Sequence, residues 1–304
     1  MAGSKILVIG SSNSDMVVQA EKLPTPGETV MGKKFFMNPG GKGANQAVAA
    51  ARMGGPVAFI CKIGSDLFGK QAAFTFKKEG INADHVILDP NNPSGVALIM
   101  VDAKGENSIM VAGGANNNLL ESDIDNALDV IKESEIVLMQ LEIPITTVEH
   151  VGSLVGVYGK KLILNPAPAQ ALSDELLKNV YIITPNETEA FIISGIKVLD
   201  ESSALKAARV IQERGVKNVI ITMGSKGAFV LSDTYVGLVS ANDVEAIDTT
   251  AAGDVFSGAL SVAIYEGLSM EDAVKFACTA AALSVTKQGA QSSIPYRKEL
   301  FITK

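Results

Sequence analysis

From Ser122 onward, short apolar runs alternate with stretches of helical periodicity, and this alternation limits the fold more than any other feature of the chain. A helical pattern at 122–133 leads to an apolar run at Ile136–Leu141, a second pattern at 146–157 and a run at Leu162–Asn165. Runs at 181–184 and Val219–Met223 bracket a short helix from Glu187 and a longer one at Ser202–Arg214. Strands joined through helices pair in parallel, and each crossover helix must pack back on the sheet, so both faces become covered. The expected fold is α/β, a three-layer α/β/α arrangement around a mostly parallel sheet. Gly227–Leu231 and Tyr235–Val239 read as an antiparallel pair at its edge, and two Ala-rich helices, 252–267 and 270–287, complete the core.

The first third reads differently. Ile6–Gly10 is a strand, Gly43–Met53 an Ala-rich helix stopped by Gly54-Gly55-Pro56, Val57–Ile63 a strand and Asp66–Lys78 a helix. Residues 15–40 show alternation and turn signals (Pro24-Thr25-Pro26-Gly27), and Gly95–Val101 with Asn107–Val111 flank a hairpin turn. Strands within 15–40 and 95–112 are expected to form a small β-sheet lid on a single domain spanning 1–304. Apolar residues lie on both alternating faces of these strands (Val17, Val30, Phe35, Val96, Leu98, Met100). One face can cover a ligand; the other would be exposed unless a second copy buried it, which points to a homodimer.

Composition excludes several classes of function. A net charge of −7 without a basic run argues against nucleic acid as a partner. No apolar run approaches the roughly 18 residues of a membrane span, so no membrane partner is expected. The run Ile6–Ile9 passes at once into Ser11, Ser12, Asn13 and Asp15, as a buried strand does and a signal peptide does not. Cys61 and Cys278 sit in apolar stretches without metal-ligand spacing, so reduced thiols in a cytoplasmic protein are expected. His85 and His150 are isolated, which leaves no zinc site or histidine-based triad in view.

The chemistry concentrates in Asp248-Thr249-Thr250-Ala251-Ala252-Gly253-Asp254, a small-residue turn that becomes a helix. The first amides of a helix have no partner within it and carry positive partial charge, so they favour an anion such as phosphate. Gly253 leaves room for close approach. Asp254, at that positive end, is placed to accept a proton, although an acidic residue there is commonly only a cap. A proton acceptor beside an anion cradle is what phosphoryl transfer to a hydroxyl requires.

Other polar groups fall where strands end, which is where open α/β sheets bind ligands. Asn13 and Asp15 follow the first strand, and Glu142 follows another. Gly40-Gly41-Lys42-Gly43-Ala44-Asn45-Gln46 opens a helix. Asn186 and Glu189, three apart at a helix start, suit Mg²⁺ through water, or equally a capping pair. Thr222-Met223-Gly224-Ser225-Lys226-Gly227 is a glycine turn suited to nucleotide phosphates or simply a loop.

Taken in order, Asn13-x-Asp15, Pro24–Thr29, Gly40–Ala47, Gln140-Leu141-Glu142, Asn165–Pro168, Thr184–Glu189 and Asp248–Asp254 resemble the ribokinase branch of the PfkB carbohydrate kinase family, over nearly the whole chain. The resemblance implies ATP-dependent phosphorylation of the 5-hydroxyl of D-ribose, with a sister activity on 2-deoxyribose, another pentose or a nucleoside as the alternative. It makes Asp254 the catalytic base and Ala251, Ala252 and Gly253 an anion hole. Asn13, Asp15, Gly41, Lys42, Asn45 and Glu142 become ribose contacts. Asn186, Thr222, Gly224, Ser225, Gly227, Gly253 and Cys278 would line the ATP site, and Glu189 would organise Mg²⁺ through water. Asp248, Thr250, Ser284, Lys287, Gly289 and Ser293 would surround a monovalent cation, K⁺, partly through backbone carbonyls.

Overall fold

The computed structural model describes residues 3–301. The chain opens with β1 (Ile6–Ile9), β2 (Asn13–Ala20), β3 (Gly32–Gly40), α1 (Lys42–Arg52), β4 (Val57–Gly64), α2 (Leu67–Lys78), β5 (Val86–Asp89), β6 (Gly95–Val101) and β7 (Asn107–Ala112). Then come α3 (Glu121–Asp125), α4 (Leu128–Glu133), β8 (Ile136–Met139), α5 (Ile145–Val157), β9 (Lys161–Leu164), α6 (Asp174–Leu177), β10 (Val180–Ile183), α7 (Glu187–Ser194), α8 (Glu201–Glu213) and β11 (Asn218–Thr222). β12 (Ala228–Leu231), β13 (Val236–Val239), α9 (Ala252–Tyr265) and α10 (Met270–Ser284) complete it.

The main sheet has the order β13-β12-β11-β10-β9-β8-β1-β4-β5. It is parallel from β11 to β5 and antiparallel only through β12 and β13. Side chains alternate across the sheet, so each strand feeds two cores. In β1, Ile6 and Val8 join the cluster beneath α1, α9 and α10, while Leu7 and Ile9 join the one beneath α5 and α8. Parallel strands buried on both faces explain why the runs are apolar throughout. Among the described residues no helix is long and apolar enough to cross a membrane.

The second sheet, β3-β2-β6-β7, stands apart and forms the lid. Its register puts Asp15 opposite Asn38 and Ala97 on one face, and Met16 opposite Met37 and Leu98 on the other. The Met16 face is uncovered: Phe35, Met37, Leu98, Met100 and Met110 are all exposed.

The sequence expectations need four corrections. The helix at 122–133 is broken into α3 and α4, with Asn126, a residue that favours caps over helix interiors, closing the first. Strand Ile136–Leu141 leaves the ladder at Met139, which carries Gln140 beyond the strand end. Val30 lies before β3 rather than in a lid strand. β5 and α6, each of four residues, were not foreseen.

Candidate active site

The site forms where the carboxyl ends of β1, β8, β9, β10 and β11 meet the N-termini of α1 and α9. Glycines make the approach possible. A Cβ on Gly43 would lie 2.5 Å from the Ser11 amide nitrogen, so α1 can start against the end of β1 only without one. A Cβ on Gly258 would lie 2.6 Å from Ala49 Cβ and 2.7 Å from the Gln46 carbonyl oxygen. Gly258 follows Asp254 by one helical turn and shares its face, so the close crossing of α9 on α1 is what brings Asp254 to Asn45 and Gln46.

Asp254 is 5% exposed. Asn45 Nδ2 donates to its Oδ2 (2.9 Å) and Gln46 Nε2 to its Oδ1 (3.0 Å). Burial pushes its carboxyl above the usual range, and Glu142 adds to that; Lys42 and the two amides oppose it. For Lys42, burial disfavours the ammonium, but the carboxylates of Asp254, Glu142, Glu189 and Asp15 outweigh it and raise its proton affinity. One ammonium thus stands among four carboxylates. Asp15 is pushed up to about 6 by burial first, then by Glu142 and Asp254, with Lys42 opposing. Glu142 Oε2 accepts from Ser11 Oγ (2.6 Å) and from the Lys42 amide (3.0 Å), which pins the start of α1 to the end of β8. Asn13 Oδ1 accepts from Asn116 Nδ2 (2.8 Å).

The start of α9 has an unusual backbone. Ala251, its N-cap, has φ 62°, the one positive φ of a non-glycine among the described residues. Such a conformation costs on the order of 1 kcal/mol and persists where the surroundings impose it. Among the described residues, the amides of Gly253 and Asp254 donate to no protein acceptor. A Cβ on Gly253 would meet nothing within 4 Å. The protein itself therefore does not demand glycine there. The open space lies over the helix end, where a ligand anion would sit.

Along the strand ends away from the lid, Asn186 and Glu189 form a reciprocal capping box. Asn186 Oδ1 accepts from the Glu189 amide (2.9 Å), and Glu189 Oε2 accepts from the Asn186 amide (2.8 Å). Glu189 Oε1 has no protein donor among the described residues. Burial raises the Glu189 proton affinity, and Asp254 adds to it, against the Asn186 amide and Lys42. No three His, Cys, Asp or Glu side chains among the described residues cluster to hold an ion. The Thr222 amide donates to the Pro185 carbonyl (2.9 Å), which joins the β10 and β11 ends. Gly224 and Gly227 take positive φ in the turn beyond, where Ser225 is exposed. At Gly227 a Cβ would lie 2.0 Å from the Val239 carbonyl oxygen. Cys278, on the buried face of α10, packs in the core, its thiol pushed up to about 12 by burial.

The loops expected to hold a cation come together, but their side chains are already engaged. Asp248 Oδ1 accepts from the Thr250 amide (2.9 Å) and Oδ2 from the Gly289 amide (2.8 Å). Burial would raise its pKa, yet these bonds hold the carboxyl below its usual range. Turn amides thus supply donors to both oxygens of Asp248. Ser284 and Ser293 donate to the Ala281 and Ala290 carbonyls (both 2.8 Å). Lys287 turns away to Glu299 (3.0 Å). A cleft of about 530 Å³ runs under the lid from Asp15 and Asn38 to Asp248, Thr250 and Gly289. A cavity of about 390 Å³ lies behind the lid against α2 and touches the site through Asn13 and Gly40.

A model of the pfkB family of carbohydrate kinases matches residues 4–297. The chain belongs to this family. Among pfkB kinases, it is 48% identical to the ribokinase of Haemophilus influenzae, with 97% of this chain and 96% of that protein covered. It is 38% identical to the deoxyribokinase of Salmonella typhi, with 95% of each covered. The structure of Arabidopsis thaliana ribokinase complexed with ribose and ATP superposes with a TM-score of 0.93 at 35% identity, over 99% of this chain and 98% of that one.

Sequence reasoning found the carboxylates and the glycine turns of this pfkB kinase but missed what holds them. Ser11 anchors Glu142, and Asn116, over a hundred positions from Asn13, anchors that residue. The run Asn116-Asn117-Asn118 after Gly113-Gly114 was the available signal for the latter.

Proposed function

We propose that the chain transfers the γ-phosphoryl group of ATP to the 5-hydroxyl of D-ribose, giving D-ribose 5-phosphate and ADP. The observation that carries this reading is Asp254, a buried carboxylate held on both oxygens by side-chain amides, beside Lys42, at a helix end where the Gly253 and Asp254 amides donate to no protein acceptor among the described residues. The ribose oxygen bonds to the γ-phosphorus as the bond to the departing ADP oxygen breaks, and Asp254 takes the hydroxyl proton. The amides at Ala251–Asp254 meet the charge on the transferring group without having to reorient.

Asn13, Asp15, Gly41, Lys42, Asn45 and Glu142 hold the sugar in this reading. Asn186, Thr222, Gly224, Ser225, Gly227 and the neighbourhood of Cys278 hold ATP. A nucleotide triphosphate entering a cluster rich in carboxylates needs counter-charge. Mg²⁺ bound with the nucleotide supplies it. The free Oε1 of Glu189 fits contact through a water molecule. The loops around Asp248, Thr250, Ser284, Lys287, Gly289 and Ser293 fit a K⁺ site built mainly from backbone carbonyls. The exposed apolar face of the lid supports a homodimer, and cytoplasmic placement accords with a reaction that consumes ATP.

The test is a substrate panel of ribose, 2-deoxyribose, other pentoses and nucleosides with Mg²⁺ and ATP, scored for phosphorylated product. Ribose is expected to give the highest kcat/KM; a higher value for 2-deoxyribose or a nucleoside overturns the assignment. Light scattering at micromolar concentration should give the mass of two chains, and a monomer would remove the dimer.

A further inference from the structure

On the reading that Asp254 is the base, we propose that Gln46, locked in orientation by Gln140, positions the Asp254 carboxylate and selects which of its oxygens receives the proton. Both glutamines are fully buried, so neither offers a surface to sugar or nucleotide. Gln46 Nε2 donates to Asp254 Oδ1 (3.0 Å) and to Asn165 Oδ1 (3.1 Å), while Gln46 Oε1 accepts from Gln140 Nε2 (2.6 Å). A side-chain amide can exchange its two ends only where both positions tolerate it. Here a flip would turn Gln46 Oε1 onto two acceptor oxygens and its Nε2 onto another donor. Asn165 is itself fixed, because its Nδ2 donates to the Thr184 carbonyl (3.2 Å).

Gln140 is held by packing. A Cβ on Gly10 would lie 2.0 Å from Gln140 Oε1, so the carboxamide occupies the space that a side chain at Gly10 would take. Gln140 Oε1 has no hydrogen-bond partner among the described residues. Leaving a buried acceptor unpaired is unfavourable, and such groups persist where the surroundings over-determine them. The ends of four adjacent strands, β1 at Gly10, β8 at Gln140, β9 at Asn165 and β10 at Thr184, thus converge on one amide, and that amide faces Asp254.

The other side of the carboxylate is not locked. Asn45 donates to Oδ2, but its own Oδ1 has no partner, so its amide can turn. Gln46 therefore keeps Oδ1 as a permanent acceptor, and Oδ2 is left to take the substrate proton. A donor to the ionised carboxylate favours that form, so losing it raises the proton affinity of the base.

The experiment is the pH dependence of kcat/KM for ribose, with saturating Mg²⁺ and ATP, in Gln46→Met, Gln140→Met and the double variant. The charged groups around Asp254 are Lys42 on α1, Glu142 after β8, Asp15 on β2 and Glu189 on α7, and all variants retain them. In Gln46→Met the acid limb should move up by about one pH unit, a roughly tenfold loss on that limb. The alkaline plateau should stay within about threefold and ribose KM should not change. Gln140→Met should shift the limb in the same direction by less. If Gln140 acts through Gln46, the double variant should match Gln46→Met alone. A uniform loss at all pH values with an unmoved limb, an unchanged profile or additive shifts would overturn the proposal. If Gln46→Met does not fold, Gln140→Met decides by the same criterion. Wild-type protein that phosphorylates no ribose would defeat the assigned function; an active wild type with unmoved limbs in the variants would defeat only the role of Gln46.

Discussion

Asp248 and Asp254 lie six residues apart on one turn, yet their surroundings pull them in opposite directions. Asp248 is half-buried, and both its oxygens accept from backbone amides, of Thr250 and Gly289, which hold its carboxyl below the usual range. Asp254 is buried and accepts only from the neutral side-chain amides of Asn45 and Gln46, so burial dominates and its proton affinity rises. The first arrangement makes a strut that ties the loop before α9 to the loop at Gly289. The second makes a carboxylate of raised proton affinity, suited to taking a proton. Residue type does not separate them. What does is whether the donors come from backbone at the surface or from side chains under a helix crossing.

The largest effect should come from breaking the buried member. Asp254→Asn is expected to lower kcat by about 10²–10⁴-fold, with ribose binding by calorimetry retained. Its stability should move the other way. A carboxyl whose folded pKa is raised binds more protons in the folded state than in the unfolded one, so its charge weakens the fold as pH rises through the window above about 4. Asn45 can turn its free oxygen toward the new amide. Thermal unfolding at pH 8 should therefore show Asp254→Asn at or up to a few degrees above the wild type; a clear drop would mean the carboxylate also supports the fold. Asp248, with its lowered pKa, has the opposite sign: its contribution is present above about 4 and fades as pH falls below that.

Breaking the strut should have a smaller effect on turnover. Initial rates compared in K⁺, Na⁺ and a bulky organic cation, at matched ionic strength and fixed Mg²⁺, should be highest in K⁺. Asp248→Ala should abolish the difference and lower the rate by up to about 10²-fold, the scale of one misaimed oxyanion donor. Equal rates in all three salts would remove the cation site, and a K⁺ effect surviving in Asp248→Ala would place the ion elsewhere.

The smallest effect should come from the residue between the two. Ala251→Gly relieves the positive φ but loosens the unfolded chain, and these terms nearly cancel. Urea unfolding should shift by less than about 1 kcal/mol. A rate reduced more than about threefold, without loss of stability, would show that the stiffness of Ala251 helps to aim the amides.

Much of this protein was legible before its structure. Apolar runs alternating with helical patterns announced the parallel sheet, because strands covered on both faces and helices covered on one leave different periods in the chain. Asp254 and Asp248, the lid strands and the glycine turns were equally visible, since each depends on neighbours close in sequence. The short strand β5 was not, nor was the break between α3 and α4, which rests on a single capping residue, Asn126. What only the tertiary structure decided was the partner of each polar group. Asn116 meets Asn13, Gly289 meets Asp248, and Gln140 meets Gln46 across separations of 103, 41 and 94 residues. A sequence records which groups can donate and accept, whereas the roles of the two aspartates follow from which donors the packed strands and helices bring within 3 Å, and a single close crossing at Gly258 sets that for Asp254.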